Sequence, residues 1–410
     1  MIEAELMHGV NGIMVSRLKT NSKCKINQEN QNKASLHDKV FAVTPTMTKT
    51  TKFCMHQAAS MQQKRLSFCL SFCIALGLHY LCTYFLSNCF FDDMRPYKFQ
   101  LNLKSVLWGG DRIATFKGMH FDRSDVGESW EVSGIEGKES VVADGPDAGL
   151  NLRQLLEKYG SRIVGEHVYR RFGNEFPLVV KLIDARHDLS LQVHPDDKLA
   201  WQNHRCNGKT EMWYVVDADP GARLLAGMKK EITKQEYGRR IADNTILDVV
   251  SEHDTRAGDV FFLPAGRIHG IGAGNFIAEI HQASDITYRV YDYNRHDANG
   301  KLRELHTDWA ADAIKFDDTD VKCQNFADKA DATLVKCDCF KVSKLSVSGQ
   351  RDVDMPHDAF LVVMCIGGSC TVTTGQNDVV SLRQGETVLI PAELTKFHLQ
   401  GTATLLTATV

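Results

Sequence analysis

The sequence predicts a mainly β protein built from two jelly-roll barrels in tandem, with a few helices and with the second barrel a degenerate copy of the first. Three observations carry this reading. Short apolar and β-branched runs bounded by Gly, Pro and Asp recur from about residue 176 to the C-terminus, as in many short strands joined by turns. Runs with helical spacing are few. Finally, Gly258-x5-Pro264-x-Gly266-x2-His269 returns as Gly385-x5-Pro391 with the same Gly-to-Pro spacing, which indicates a duplicated unit. In the second copy Glu393 replaces Gly266 and Lys396 replaces His269. If the histidine is a metal ligand, only the first copy binds metal.

The strands read in order as 176–183, 189–193, 211–218, 222–227, 259–265, 276–282 and 287–293, then 360–368, 370–374, 386–392 and 403–410. Helical spacing of Leu, Ile, Ala and Trp predicts helices over 149–158, 232–243 and 306–315. Asp317, Asp318 and Asp320 mark a boundary. The expected division is a catalytic domain over 94–320 and a degenerate one over 321–410.

Residues 1–93 differ from the rest. They carry a basic excess, whereas 94–410 carry an acidic one, and they hold six of the 12 cysteines: Cys24, Cys54, Cys69, Cys73, Cys82 and Cys89. Residues 1–63 are polar without apolar period and predict disorder. The apolar stretch 67–91 follows Lys64-Arg65 and is long enough to span a bilayer, though Ser67, Ser71, His79, Thr83, Ser87 and Asn88 dilute it. It lies too deep in the chain for a signal peptide. The favoured reading is that the working protein begins near Met94 and is cytoplasmic, with a membrane role only if 67–91 is a true anchor. The remaining cysteines (Cys206, Cys323, Cys337, Cys339, Cys365, Cys370) lack C-x-x-C spacing and read as reduced thiols, mostly in the core. Cys337 and Cys339 share a face if their stretch is a strand. Lys+Arg at 48 against Asp+Glu at 51 argues against a nucleic-acid partner.

Three segments concentrate the chemistry: 189–197 (LSLQVHPDD), 207–215 (NGKTEMWYV) and 258–272 (GDVFFLPAGRIHGIG). Gln192 and His194 lie two apart on an expected strand, hence on one face. Glu211 opens the next strand, and His269 follows a Pro-x-Gly turn. Any one of these is more often a surface residue than a ligand. Together, two imidazoles, a carboxylate and an amide oxygen in a barrel suit a cation such as Zn²⁺, one per chain.

The same segments carry a resemblance. The Gly258–His269 pattern resembles the second cupin motif, with Ala273 where that motif has Asn. With WGG at 108–110, GESWEVSG at 127–134, SDITYRVYDYNR at 284–295 and LHTDWAADAI at 305–314, residues 94–410 resemble the mannose-6-phosphate isomerase family, short bacterial branch. The resemblance implies a metal-dependent aldose–ketose isomerase of the cupin superfamily that interconverts mannose 6-phosphate and fructose 6-phosphate through an enediol. It implies His194, Glu211 and His269 as metal ligands, with Gln192 a fourth. It makes Arg289 a catalytic arginine, which Tyr288 and Val290 on either side direct inward, and it sets Lys209 and Glu279 near the metal. Either of those two would serve as general base. Ser190, Trp108 and Glu128 are substrate-site candidates, each with an equally good structural role. Other readings are a different cupin sugar-phosphate isomerase or epimerase, or a non-catalytic sugar-binding cupin. The partner implied is a small phosphosugar; phosphate-binding residues and oligomeric state are left open.

Overall fold

The computed structural model describes residues 94–296, 300–375 and 378–410, and the following concerns these alone. The expectations for residues 1–93, including the apolar stretch 67–91, lie outside the described residues. No described helix is long and apolar enough to cross a membrane.

Met94–Val410 forms one compact unit. Twelve strands build its first barrel: β1 (Leu103–Gly110), β2 (Val126–Ser133), β3 (Leu178–Ala185), β4 (Leu191–Val193), β5 (Glu211–Ala218), β6 (Arg223–Met228), β7 (Val250–Asp254), β8 (Asp259–Leu263), β9 (His269–Ile271), β10 (Asn275–Gln282), β11 (Tyr288–Tyr291) and β12 (Cys323–Asn325). One sheet runs β1-β2-β3-β10-β5-β8-β12, the other β11-β4-β9-β6-β7, and every pairing is antiparallel. β12 carries the first sheet a few residues past position 320.

The two-residue period of a strand decides what lies inside. On β5, Met212 and Tyr214 point outward into a core shared with the C-terminal domain, while Trp213 and Val215 point into the barrel. On β10, Phe276, Ala278 and Ile280 point outward, leaving Ile277, Glu279 and His281 inside. On β3, Val180 and Leu182 point outward, and Lys181, Ile183 and Ala185 inward. The inward apolar residues gather at one end of the barrel with Trp108, Leu224, Phe261 and Ile271. The inward charged residues gather at the other. Behind the second sheet, Leu191, Val193, Tyr288 and Val290 pack with Tyr237 and Ala310, from helices over Lys234–Ala242 and Thr307–Ala313.

The C-terminal domain is a six-stranded antiparallel sheet folded on itself: β13 (Ala332–Lys336), β14 (Lys341–Asp354), β15 (Leu361–Thr374), β16 (Asp378–Arg383), β17 (Thr387–Ile390) and β18 (Lys396–Thr409). The sequence read two strands here, 360–368 and 370–374. The structure has instead one 14-residue strand with a bulge at Ile366, just before the two glycines. The bulge shifts the parity of the strand, so Leu361, Val363 and Cys365 before it and Cys370 and Val372 after it enter the same core. Gly368 has φ +72°, and a Cβ there would lie 2.1 Å from the Thr402 carbonyl oxygen, so glycine is required.

The repeat read from the sequence maps onto matching elements. Gly258 and Pro264 bracket β8, and Gly385 and Pro391 bracket β17; His269 opens β9, and Lys396 opens β18. The expected helices form over Leu152–Tyr159, Lys234–Ala242 and Thr307–Ala313. Four more, at Arg112–Lys117, Ser161–Val164, Glu166–Phe172 and Asp197–His204, have at most two turns and too little periodicity to register. Two cysteine expectations need correction. All six described cysteines are free, but only Cys365 and Cys370 are buried. Cys337 and Cys339 lie not on a strand but in the tight turn between β13 and β14.

Candidate active site

The site begins with two histidines set by backbone carbonyls. His194 follows β4, and its Nδ1–H donates to the Ile286 carbonyl at 2.7 Å. His269 opens β9 just after a turn in which Arg267 N–H donates to the Pro264 carbonyl at 3.0 Å. Gly266 takes φ +91° there, and a Cβ would crowd the Ala313 carbonyl at 2.9 Å. The Arg267 guanidinium ties this turn to Asp318 at 2.6 and 2.7 Å, and its carbonyl accepts from His269 Nδ1–H at 2.8 Å. With both Nδ1 atoms engaged, both Nε2 atoms turn their lone pairs inward.

They converge on Glu211. His194 Nε2 lies 3.3 Å from Glu211 Oε2, and His269 Nε2 lies 3.2 Å from Glu211 Oε1. One donor atom from each residue falls within 4.8 Å of the others, and all three side chains are buried. Among the described residues this is the one group of three or more His, Cys, Asp or Glu able to hold a metal ion. Burial holds both imidazoles below their ordinary range, His269 down to about 3, so each is neutral at pH 7. Burial by itself would raise the Glu211 carboxyl, but the Lys209 ammonium beside it outweighs burial and holds the group well below the usual range. Neutral nitrogen lone pairs facing a carboxylate, with no hydrogen-bond donor on His269 Nε2 or on Glu211 Oε1, are the arrangement a cation completes. A divalent metal therefore fits this donor set.

A second layer of charge surrounds it. Lys209 Nζ lies 2.8 Å from Glu211 Oε2, 3.2 Å from His194 Nε2 and 3.8 Å from Glu279 Oε1. Its loop is pinned by Gly208 N–H donating to Asp197 Oδ1 at 2.8 Å and Lys209 N–H to the Pro195 carbonyl at 3.1 Å. Glu279 accepts from Trp213 Nε1–H at 2.8 Å and pairs with Lys181 Nζ at 3.0 Å. Lys181 also reaches Glu128 at 3.5 Å, and Glu128 accepts from Trp130 Nε1–H at 2.6 Å. Burial opposes the charge on Lys181, but Glu128 and Glu279 more than restore it and raise its pKa above the ordinary value. His281 Nε2 stands 3.5 Å from Glu279 Oε1; burial, with Lys209 and Lys181 nearby, keeps its ring neutral.

Of the residues singled out in the sequence, His194, Glu211, His269, Lys209 and Glu279 form one cluster, and Glu128 joins it through Lys181. Gln192 pairs in register with both His269 and Arg289, so the three share one face of the second sheet. Arg289 is half-buried; its Nη1 donates to the Glu304 carbonyl at 2.8 Å and its Nε has no hydrogen-bond partner. Ser190 is buried just before β4. Trp108 belongs to the buried apolar cluster that includes Ile183 and Trp213. Sequence reading missed Lys181, His281 and Asp197. Lys181 had a signal, the single charge in the apolar run 176–183, and so did His281, two residues after Glu279 on one strand face.

Comparison with known proteins places the chain in a family. Residues 97–220 match the family described as phosphomannose isomerase type I, catalytic domain, and residues 330–410 match the mannose-6-phosphate isomerase cupin domain. The mannose-6-phosphate isomerase ManA of Bacillus subtilis is 33% identical over 314 residues, 75% of this chain and 96% of the relative. The chain belongs to the mannose-6-phosphate isomerase family. These are metal-dependent isomerases. The Streptococcus mutans mannose-6-phosphate isomerase is 32% identical over 75% of this chain and 95% of its own length. The crystal structure of the B. subtilis mannose 6-phosphate isomerase superposes with a TM-score of 0.70 at 30% identity, covering 77% of this chain and all of that one. A putative mannosephosphate isomerase of Archaeoglobus fulgidus shares the fold, with a TM-score of 0.63 at 22% identity over 77% of this chain and 97% of that one.

Proposed function

We propose that this chain interconverts mannose 6-phosphate and fructose 6-phosphate at the cluster around Glu211, with one zinc ion held by His194, Glu211 and His269 and with Gln192 on the same face as a fourth donor. The observation that carries the reading is the pairing of this donor set with Lys209, Glu279 and Lys181 in one buried cluster. A purely structural metal site has no use for those three charges. Zinc fits because two neutral imidazoles and a carboxylate are its common ligands and the reaction involves no net redox change. When bound, the metal supplies electrophilic stabilisation of oxygen charge on the open-chain sugar.

The remaining work falls to side chains. A proton must leave one of C1 and C2 and return to the other, so a base must hold it in between. Glu279 is oriented for this by Trp213 and Lys181, which fix its carboxylate from two sides; Lys209 is the other candidate. Lys209 and Lys181 place positive charge where oxygen charge grows. Arg289, with a free Nε on the face it shares with Gln192, holds the substrate or its developing oxyanion. Glu128 positions Lys181, and Ser190 stays a substrate-site candidate. We assign Trp108 to packing. The catalytic unit in this reading is the domain over about 94–320, and the domain over about 321–410 binds no metal. Because phosphorylated hexoses are retained in the cytosol, the working location is cytoplasmic.

The test is a coupled isomerase assay on the purified full chain, with elemental analysis of the same sample. Turnover of mannose 6-phosphate with about one zinc per chain supports the proposal. Metal-replete protein without turnover would favour a sugar-binding role. Glu279→Gln and Lys209→Met then separate the two candidate bases: the true one loses exchange of the substrate C–H proton with solvent while keeping metal.

A further inference from the structure

We propose that His306 is the positioning residue of Arg289: its ring and its backbone together replace a missing neighbour strand and fix where the guanidinium stands. The inference rests on the reading of Arg289 as a residue that meets the substrate. β11 is four residues long and lies at the edge of the second sheet, paired with β4 alone among the described strands, with an irregular register between Arg289 and Tyr291. The open side of an edge strand leaves backbone groups that need partners from elsewhere. At Arg289 both go to His306. The Arg289 N–H donates to His306 Nδ1 at 3.1 Å, and the His306 N–H donates to the Arg289 carbonyl at 2.7 Å. Two residues earlier in the same segment, the Glu304 carbonyl accepts from Arg289 Nη1 at 2.8 Å. Segment 304–306 thus holds both the backbone of Arg289 and one end of its guanidinium, and Nε remains buried without a hydrogen-bond partner.

The ring is committed to this bond. His306 stands immediately before the helix Thr307–Ala313, where Ser, Thr, Asp or Asn commonly bonds the first turn, yet its side chain makes no such bond. Its carbonyl accepts from Ala310 N–H at 2.8 Å, so the helix starts without help from the ring. The ring lies instead parallel to the Trp309 indole, with planes 1° apart and centroids 5.9 Å apart. Trp309 also meets His204 and Tyr288, at 5.0 and 5.6 Å, and His204 Nε2 lies 2.8 Å from the Tyr288 hydroxyl. One indole therefore braces both the residue before Arg289 and the ring that accepts from Arg289. Because Nδ1 receives a backbone N–H, it carries a lone pair, and the ring is the neutral tautomer protonated on Nε2.

Removing Nδ1 leaves the Arg289 N–H without its acceptor and lets β11 twist about the single backbone bond that remains to His306. The guanidinium then loses its fixed position while keeping its charge. A misplacement of about 1 Å costs up to ~10²-fold in rate, so the effect on turnover should be substantial but smaller than deletion of Arg289 itself. None of the metal-holding side chains takes part in these contacts, so metal binding should not change.

The experiment uses two substitutions in the full chain, each of which removes Nδ1 and spares another task of His306. His306→Phe keeps a ring against Trp309, and His306→Ser keeps a residue suited to the start of a helix; should one fail to fold, the other still serves. Both are made with Arg289 present and in an Arg289→Ala background. Turnover of mannose 6-phosphate, metal content and hydrogen–deuterium exchange over residues 286–293 are measured on each. The expected result is a ~10-fold fall in kcat for either single variant, with metal retained, faster exchange over 286–293, and no further fall in kcat once Arg289 is alanine. An equal fall in both backgrounds would show a general structural role and overturn the proposal. So would full turnover or unchanged exchange in either single variant. If Arg289→Ala alone is as active as the parent, the reading of Arg289 fails, and that failure shows in the Arg289 variant rather than in those of His306. In a chain without isomerase activity the exchange measurement alone decides whether His306 holds the strand.

Discussion

The two β-domains share a strand–turn–strand unit but fill their interiors differently. In the C-terminal domain the inward positions of β15, β17 and β18 are almost all apolar: Val363, Val388, Ile390, Phe397, Leu399 and Leu405 are all essentially inaccessible. In the first barrel only one end is filled that way. The other end buries two carboxylates (Glu211, Glu279) and two lysines (Lys181, Lys209) beside three neutral histidines, with half-buried Glu128 adding a third carboxylate. Burying charge is costly unless partners return the interaction, and the cluster keeps one more negative charge than positive. The same fold thus yields a stable module where the inward row is apolar and a cation-seeking site where it is charged. Function in this chain follows from side-chain parity on a few strands rather than from the fold itself.

The sharpest way to break this contrast is Glu211→Gln. It removes the carboxylate that Lys209, His194 and His269 all face, leaving like charge and lone pairs opposed. Metal should fall to background by elemental analysis, with turnover lost alongside it, while circular dichroism keeps its β signature. A variant that retains both metal and turnover would remove Glu211 from the ligand set. His194→Ala should behave the same way.

Arg289→Ala is the next largest. Its guanidinium lies in the row of His269 and Gln192 but makes no contact with the ligand cluster, so metal should stay bound. Loss of charge stabilisation should lower kcat by ~10²–10³-fold. Full activity would show that Arg289 serves only the turn held by the Glu304 carbonyl.

How much of this was legible in the sequence follows from the same parity argument. The cluster able to hold a metal could be read because His194, Glu211 and His269 fall in short motifs with turn residues beside them. The fold could be read because the strands are short and bounded. Lys181 was passed over because a single charge in an apolar run looks like a solvated edge until the sheet shows both neighbours pointing outward. Residues 360–374 read as two strands because a glycine pair suits a strand end as well as a strand interior, and only the register of β15 against β18 shows the strand to be continuous. The short helices at 161–172 are punctuated by Gly160, Gly165 and Gly173, which erased their period.

The apolar interior should respond in the opposite sense to the polar one. Leu399→Ala leaves a cavity in the C-terminal core and should cost ~2–5 kcal/mol of stability. Metal content and kcat at a temperature below the lowered transition should not change. Thermal or urea unfolding, measured beside a turnover assay, checks this. A fall in kcat without loss of folded protein would mean that the C-terminal core acts on the site beyond supporting it.

The smallest effect concerns the joint between the two domains. Asp358, from the loop between β14 and β15, caps the helix Glu166–Phe172 of the first domain by accepting from Glu166 N–H at 2.6 Å and His167 N–H at 3.0 Å. These backbone donors, the Glu166 N–H foremost, with further help from the His167 ring, pull the carboxyl from its ordinary 3.8 down to about 2. A carboxyl whose folded pKa is depressed adds stability that is complete above the unfolded value and lost as pH falls through the folded one. The contribution of Asp358 should therefore be whole above about pH 4 and vanish near pH 2. Asp358→Asn keeps an acceptor but no charge, so it should lower the melting temperature slightly at pH 7 and the gap should close on acidification across that window. The group is exposed, so added salt should narrow the gap as well. A gap that stays constant from pH 7 to pH 2 would show that the cap holds by hydrogen-bond geometry alone and that its charge contributes nothing to the joint.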